Sequence, residues 1–223
     1  MEGKIMSYQT LKERQRAERV NYPENLSLRV HRALSWFGRA EQCNDEDGRF
    51  IFLWISFNAA YANETGELRI PEGRRVSDFL SRLVELDSKN DLASIVWDNY
   101  SNKIRLLLEN RYVFQPYWDF KNRLLGYEDW EDKFDAAKKA SHKALASHDT
   151  STVLNIVSTR LYTLRNQMIH GGSTYGSSIN RKQLIDCVQL MGQLVPAIIG
   201  IMMDNSNLHW GEGCYPVIDS NDS

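Results

Sequence analysis

Apolar residues recur at three- and four-residue spacings along most of this chain, and that repeat predicts helices. Leu26, Val30, Ala33, Leu34 and Phe37 share one face, giving an amphipathic helix from Leu26 to Gln42. Asn44 to Gly48 reads as a turn. Arg49 to Asn63 follows, and its Phe50-Ile51-Phe52-Leu53-Trp54-Ile55 is apolar on every side. Such a run suits a buried strand as well as a helix. Phe57, Ala59, Ala60 and Tyr61 carry it past strand length, so a central buried helix is expected. Gly66, Pro71 and Gly73 place a loop at Thr65 to Gly73. Val76, Phe79, Leu80, Leu83 and Val84 mark the next amphipathic helix. Leu92, Ile95, Val96, Tyr100, Ile104, Leu107 and Leu108 mark one or two more.

Pro116 follows a break, and Tyr117 to Leu125 reads as a short helix. Trp130 to Ala146 carries Phe134, Ala137, Ser141 and Leu145 on one face and Lys133, Lys138, Lys139, His142 and Lys143 on the other. A basic outer face of this kind is ordinarily solvated; the alternative is a strip for RNA or a partner. Two long helices follow, Ser151 to His170 and about Asn180 to Asn205, joined by a Gly- and Ser-rich loop, Gly171 to Ser178. Pro196 should kink the second or start a new segment. Ser206 to Ser223 holds Trp210, Gly211, Gly213 and Pro216 and reads as an irregular tail. With almost no β signal and no repeat, the pattern predicts an all-α helical bundle. One domain over 1–223 is expected, with its core at about 26–203, an N-terminal extension at 1–25 and the tail at 206–223.

The length of 223 residues suits one well-buried domain. Net charge is −2, so any nucleic-acid contact must come from a local patch. Cys43, Cys187 and Cys214 lack CxxC spacing, and His31, His142, His148, His170 and His209 are scattered, which argues against a disulfide framework and a zinc site. No Gly-rich phosphate loop or dinucleotide fingerprint points to a cofactor. Met1 to Gln9 is polar, without the apolar segment of a signal peptide. Phe50–Ala62 is too short to span a bilayer, and Leu190–Met203 is interrupted by Gln193, Pro196 and Gly200. A reduced, cytoplasmic protein without a membrane partner is expected. Trp36, Trp54, Trp97, Trp118 and Trp130 are expected in the core rather than as platforms for bases.

The segment with the most chemistry is Arg165-Asn166-Gln167-Met168-Ile169-His170-Gly171-Gly172. It ends a helix with a permanent cation, an amide and an imidazole, then stops it with a double glycine. Histidine moves protons near neutral pH, and arginine holds charge that builds on a phosphate. Val157, Leu161, Leu164 and Met168, with Leu154, define the core stripe of this helix. With Leu161 at zero and about 100° per residue, Arg165 lies about 40° off the stripe, Asn166 near about 140° and His170 near about 180°. Thr163 and Gln167 share that far face. Asn166 and His170 are thus i, i+4 neighbours pointing away from the core, and Arg165 sits on the boundary.

Asn58, inside the apolar helix, is expected as a buried, hydrogen-bonded structural residue, with a position facing the motif as the alternative. Ser173, with Thr174 and Tyr175, follows the histidine, and Arg181 and Lys182 open the last helix. Ser173, Tyr175, Arg181 and Lys182 are candidate substrate-binding residues; a polar turn and a solvated helix start are the ordinary readings of the same positions.

Arg165-Asn166-xxx-His170 is similar to the RNxxxH signature of the HEPN superfamily, small all-α domains of bacterial toxin–antitoxin, anti-phage and CRISPR-associated ribonucleases. Leu161 to Asp186, with Gly171-Gly172-Ser173 and Asn180-Arg181, and Arg49 to Tyr61 resemble bacterial HEPN-domain proteins, and the resemblance spans roughly Leu26 to Met203. It implies an RNA substrate, a homodimer through the Ser151–His170 helix and an antitoxin or effector partner. It also implies metal-independent cleavage by the ribose 2′-OH, with His170 moving protons, Arg165 stabilising the phosphorane and Asn166 holding the imidazole or a phosphate oxygen. The products would be a 2′,3′-cyclic phosphate and a 5′-OH. The alternative within the same resemblance is a non-catalytic dimerisation or binding module. HEPN toxins silenced by nucleotidyl transfer carry a tyrosine two residues past the histidine; Gly172 stands there in this chain.

Overall fold

A computed structural model of the chain describes residues 7–62 and 71–211, and among these described residues there are ten α-helices and no strand. Helix α1 is Tyr8–Glu18, α2 Glu24–Glu41, α3 Glu46–Tyr61, α4 Glu72–Leu86, α5 Asp91–Ser94 and α6 Ser101–Leu108. Then come α7 Gln115–Lys121, α8 Trp130–Ala146, α9 Thr150–Ile169 and α10 Arg181–Asp204. The all-α class read from the apolar spacing is the class observed. The chain divides into two compact units: residues up to Arg75 with those from Val195 onward, and Val76–Leu194.

In the first unit α2 packs against α1 and α3. The apolar run Phe50–Ile55 is helical, and its helix begins earlier than the spacing suggested. Asp45 caps it by accepting from the Gly48 amide at 2.7 Å, which draws the expected turn Asn44–Gly48 into the first helical turn. Buried Ser56 donates to the Ala33 carbonyl at 2.7 Å, tying α3 to α2. Buried Arg29 donates through Nη1 to the Ala60 carbonyl at 2.8 Å. Helix α1 lies inside the stretch read only as an extension. Its polar sequence hides the signal, because it buries just Leu11 and Gln15. The expected loop Thr65–Gly73 falls mostly outside the described residues. Its end is corrected, since Glu72 and Gly73 begin α4 and the Tyr61 hydroxyl donates to Glu72 at 2.6 Å. Trp210 is buried and donates to the Asn205 carbonyl at 3.1 Å, so that part of the tail packs on its own unit. Gly213, Pro216 and the rest of the tail lie outside the described residues.

In the second unit α9 is the central element, packed against α8, α6, the π turn Ile95–Asn99 and the short turn Arg111–Val113. The stretch expected as one or two helices is α5 and α6 joined by that π turn. Helix α7 ends at Lys121 rather than Leu125; Arg123 takes a positive φ of 59°, and Leu124 and Leu125 are exposed. Helix α8 has the expected ends. Its basic face is partly neutralised by Lys133–Asp129 and Lys138–Asp135 pairs, and His142 hydrogen-bonds Glu109, which suits a solvated surface.

Helix α10 continues through Pro196 without starting a new segment. Val195, Ala197, Ile198 and Ile199 around it are all buried, and that burial outweighs the lost backbone donor. Among the described residues α10 is long and apolar enough to cross a bilayer, but 72% of its apolar window is buried inside the protein. Of the tryptophans, Trp54 and Trp130 are core, and Trp97 and Trp118 are half-buried with their indole N–H groups bonded to Thr150 and to the Tyr112 carbonyl. Trp36 departs from expectation. It is 38% exposed and stacks on Phe52 at 5.8 Å between centroids, because its position on α2 lies beside the buried face.

Candidate functional site at the end of α9

Asp149 starts α9 by accepting from the Thr152 amide at 2.9 Å and the Thr152 hydroxyl at 2.7 Å. The helix ends in a Schellman motif. His170 is the C-cap, and its amide bonds the Asn166 carbonyl at 3.0 Å. Gly171 takes the left-handed conformation at φ 70°, and its amide bonds Met168 at 3.3 Å. The Gly172 amide then reaches back to the Gln167 carbonyl at 2.7 Å. The double glycine thus places His170 where the chain leaves the helix.

The imidazole of His170 is exposed and has no hydrogen-bond partner among the described residues. Arg165 is half-buried, as its boundary position predicts. Its Nη1 donates to Asn166 Oδ1 at 2.9 Å, and its guanidinium carbon lies 5.7 Å from the Tyr162 ring centroid. Its Nε is enclosed with no partner. One motif cation is therefore aligned by its neighbour and keeps an unmet donor.

The far face of α9 is narrower than the helical wheel predicted. Thr163 is 2% exposed and Gln167 is half-buried, its Nε2 donating to the Tyr112 carbonyl at 2.7 Å. Both were expected to point away from the core. The helix buries a second stripe, Val153, Val157, Arg160 and Leu164, so residues beside it are covered too. Arg160 is 3% exposed, with its guanidinium 4.6 Å from the Phe114 centroid and 5.8 Å from that of Phe134. Burial without an acidic partner lowers its pKa to about 10. Its spacing, three after Val157 and four before Leu164, was the signal for this position. Met168, assigned to the core stripe, is only half-buried because it sits in the final turn.

The loop after His170 holds Ser173 and Tyr175 in the open, Tyr175 at 80% exposure. Arg181 folds back to donate through Nε to the Ser177 carbonyl at 2.9 Å. Lys182 is exposed and, with Asn180, lines a cavity of about 340 Å³. Lys103, Asn110, Gln183 and Asp186 supply further polar walls; Leu107, Cys187 and Leu190 are its buried apolar ones. The spacing of residues along the chain gave no sign of Lys103 or Asn110, which α6 and the turn after it bring to α10. Asn58 belongs to the first unit; it is half-buried, and its Oδ1 is enclosed without the hydrogen bond expected of it. Among the described residues no cluster of three or more His, Cys, Asp or Glu side chains could hold a metal, and Cys43 and Cys187 are free thiols.

Compared with known proteins, the chain matches no family model, no curated protein and no solved structure.

Proposed function

We propose that this chain is a HEPN-type, metal-independent endoribonuclease acting as a homodimer through α9, in a stress-response, toxin–antitoxin or anti-phage setting. The observation that carries the reading is the Arg165–Asn166 pair one turn from an exposed, unpartnered His170. His170 takes the proton from a ribose 2′-OH as its oxygen bonds to phosphorus. The bond from phosphorus to the 5′-oxygen breaks, and a second imidazole or water protonates that leaving oxygen. Arg165, held through Nη1 by Asn166, supplies its remaining terminal guanidinium N–H donors to the phosphorane oxygens. A 2′,3′-cyclic phosphate and a 5′-OH result, and DNA, lacking the 2′-OH, survives. Ser173, Tyr175, Arg181 and Lys182 flank the path that the strand would follow.

A second reading, a non-catalytic HEPN module that dimerises or docks on an antitoxin or effector, draws on exposed Ile169, Tyr175 and Ile179 beside the motif. One experiment separates the two. Wild type and His170→Ala are incubated with total RNA and tRNA in excess EDTA, and the ends are analysed. Cleavage by wild type alone, leaving cyclic phosphate ends, is the expected result. RNA left equally intact by both proteins, or cut equally by both, overturns the ribonuclease reading.

A further inference from the structure

Polar walls of the cavity in the second unit are set by a directed chain of hydrogen bonds that starts on α9. Gln167 donates to the Tyr112 carbonyl at 2.7 Å. The Tyr112 amide donates to Asn110 Oδ1 at 2.8 Å. That fixes Asn110 Nδ2 as a donor, and it bonds Gln183 Oε1 at 2.6 Å. The orientation of Gln183 follows, and its Nε2 is left enclosed with no acceptor. A buried amide donor without a partner is costly, so a ligand that brings an acceptor is favoured there.

The other walls narrow the class of ligand. Lys103 and Lys182 supply two cations, against one carboxylate, Asp186, which already pairs with Lys103 at 3.3 Å. Leu107, Cys187 and Leu190 give the apolar wall, and burial pushes the Cys187 thiol up to about 12, so it stays neutral. A volume of about 340 Å³ lies at the small end of ligand sites and suits one nucleotide rather than a helix or a peptide.

We infer that this cavity binds a single nucleotide unit, with the base on Leu107, Cys187 and Leu190, a base acceptor on Gln183 Nε2, and the phosphate at Lys182. The inference deepens the ribonuclease reading and rests on it for the choice of ligand. Asn180, at the cavity rim, ends the same loop that leaves His170. The nucleotide comes either from an RNA strand or free from solution.

The test uses the full chain. Ribonucleoside 5′-monophosphates, a short 2′-O-methyl RNA that cannot be cut, and inorganic phosphate are each titrated calorimetrically. The variants are Leu106→Glu, which puts a repelling charge at Leu106, an exposed residue that also lines the cavity, and Gln183→Leu. Circular dichroism confirms that both variants fold. Nucleotide binding weakened at least about tenfold by each variant is the expected result. Tight oligonucleotide with weak monophosphate binding assigns the unit to a strand, and the reverse assigns it to a free nucleotide. Binding of neither, binding that ignores both variants, or phosphate binding as well as the nucleotides do overturns the inference. Nucleotide binding without RNA cleavage would sink the ribonuclease reading alone. Cleavage with no nucleotide bound and no effect of either variant would sink the cavity alone.

Discussion

Gln167 and Tyr112 are joined by a 2.7 Å hydrogen bond from the Gln167 amide to the Tyr112 carbonyl, which locks the motif helix to the turn Arg111–Val113. The same carbonyl accepts from the Trp118 indole at 2.8 Å. Removing the glutamine amide therefore leaves no orphaned carbonyl. Gln167→Leu should cost about 1 kcal/mol, the net worth of one neutral hydrogen bond. A lower urea midpoint at unchanged slope is the expected signature. A loss of several times that size would mean that the helix end, and not one bond, depends on the contact.

Gly171 should be the more sensitive of the paired glycines to backbone strain. At φ 70° its Cβ would have open space, so the cost of Gly171→Ala is conformational and about 1 kcal/mol. At Gly172 the conflict is steric, since a Cβ would stand 3.1 Å from the Gln167 carbonyl oxygen. Thermal melts of both alanine variants check this. Equal stability of Gly171→Ala and wild type would show that the cap is not held in solution.

The ends of α9 were legible to within one residue because apolar spacing and the double glycine agree, whereas its Asp149 cap was not read from the sequence. The position of His170 on the outside of α9 was legible for the same reason. The width of the buried face was not. Periodicity counts apolar residues, and α9 buries Arg160 and Thr163 as well, which a wheel built on leucines and valines cannot see. Helix α1 was missed because two buried side chains leave no repeat. Asn110 and Lys103 join the cavity from elements far along the chain, a contact that no local spacing encodes.

If the ribonuclease reading is right, Arg165→Lys should not restore function. Lysine cannot both hold the Asn166 oxygen and present a second, planar donor. Loss of one such donor costs on the order of a hundredfold in rate. Cleavage of a labelled RNA should fall by at least about that factor with circular dichroism unchanged. Rates for Arg165→Lys within a few-fold of wild type would remove the guanidinium from the proposed mechanism.

His31 should give the first unit an acid-sensitive stability. Partial desolvation of this surface residue first, then Lys12, Arg19 and Arg32, lower its pKa below the ordinary 6.5. The unfolded chain therefore binds a proton that the folded chain resists. This contribution is fully present above pH 6.5 and is lost as pH falls toward the lower folded value. The urea midpoint should drop between about pH 7.5 and about pH 5.5 in wild type, and drop less in His31→Gln. An identical pH slope in the two proteins would assign the effect elsewhere.

Arg160 sets two opposing terms against each other. Its guanidinium rests on Phe114 and Phe134, and a desolvated cation–π contact is worth about 2 kcal/mol. Against that stands the cost of burying a charge with no acidic partner, several kcal/mol even after relaxation, with Nε also unmet. The second term is the larger, so Arg160→Met, which keeps the length and fills the space between the rings, should stabilise the protein by about 1 kcal/mol. Arg160→Ala should instead destabilise it by about 2 kcal/mol or more, through the cavity it leaves. Chemical denaturation of the pair isolates charge from volume. A destabilised Arg160→Met would show that the rings solvate the cation better than water does, and would make Arg160 a positive contributor to the fold.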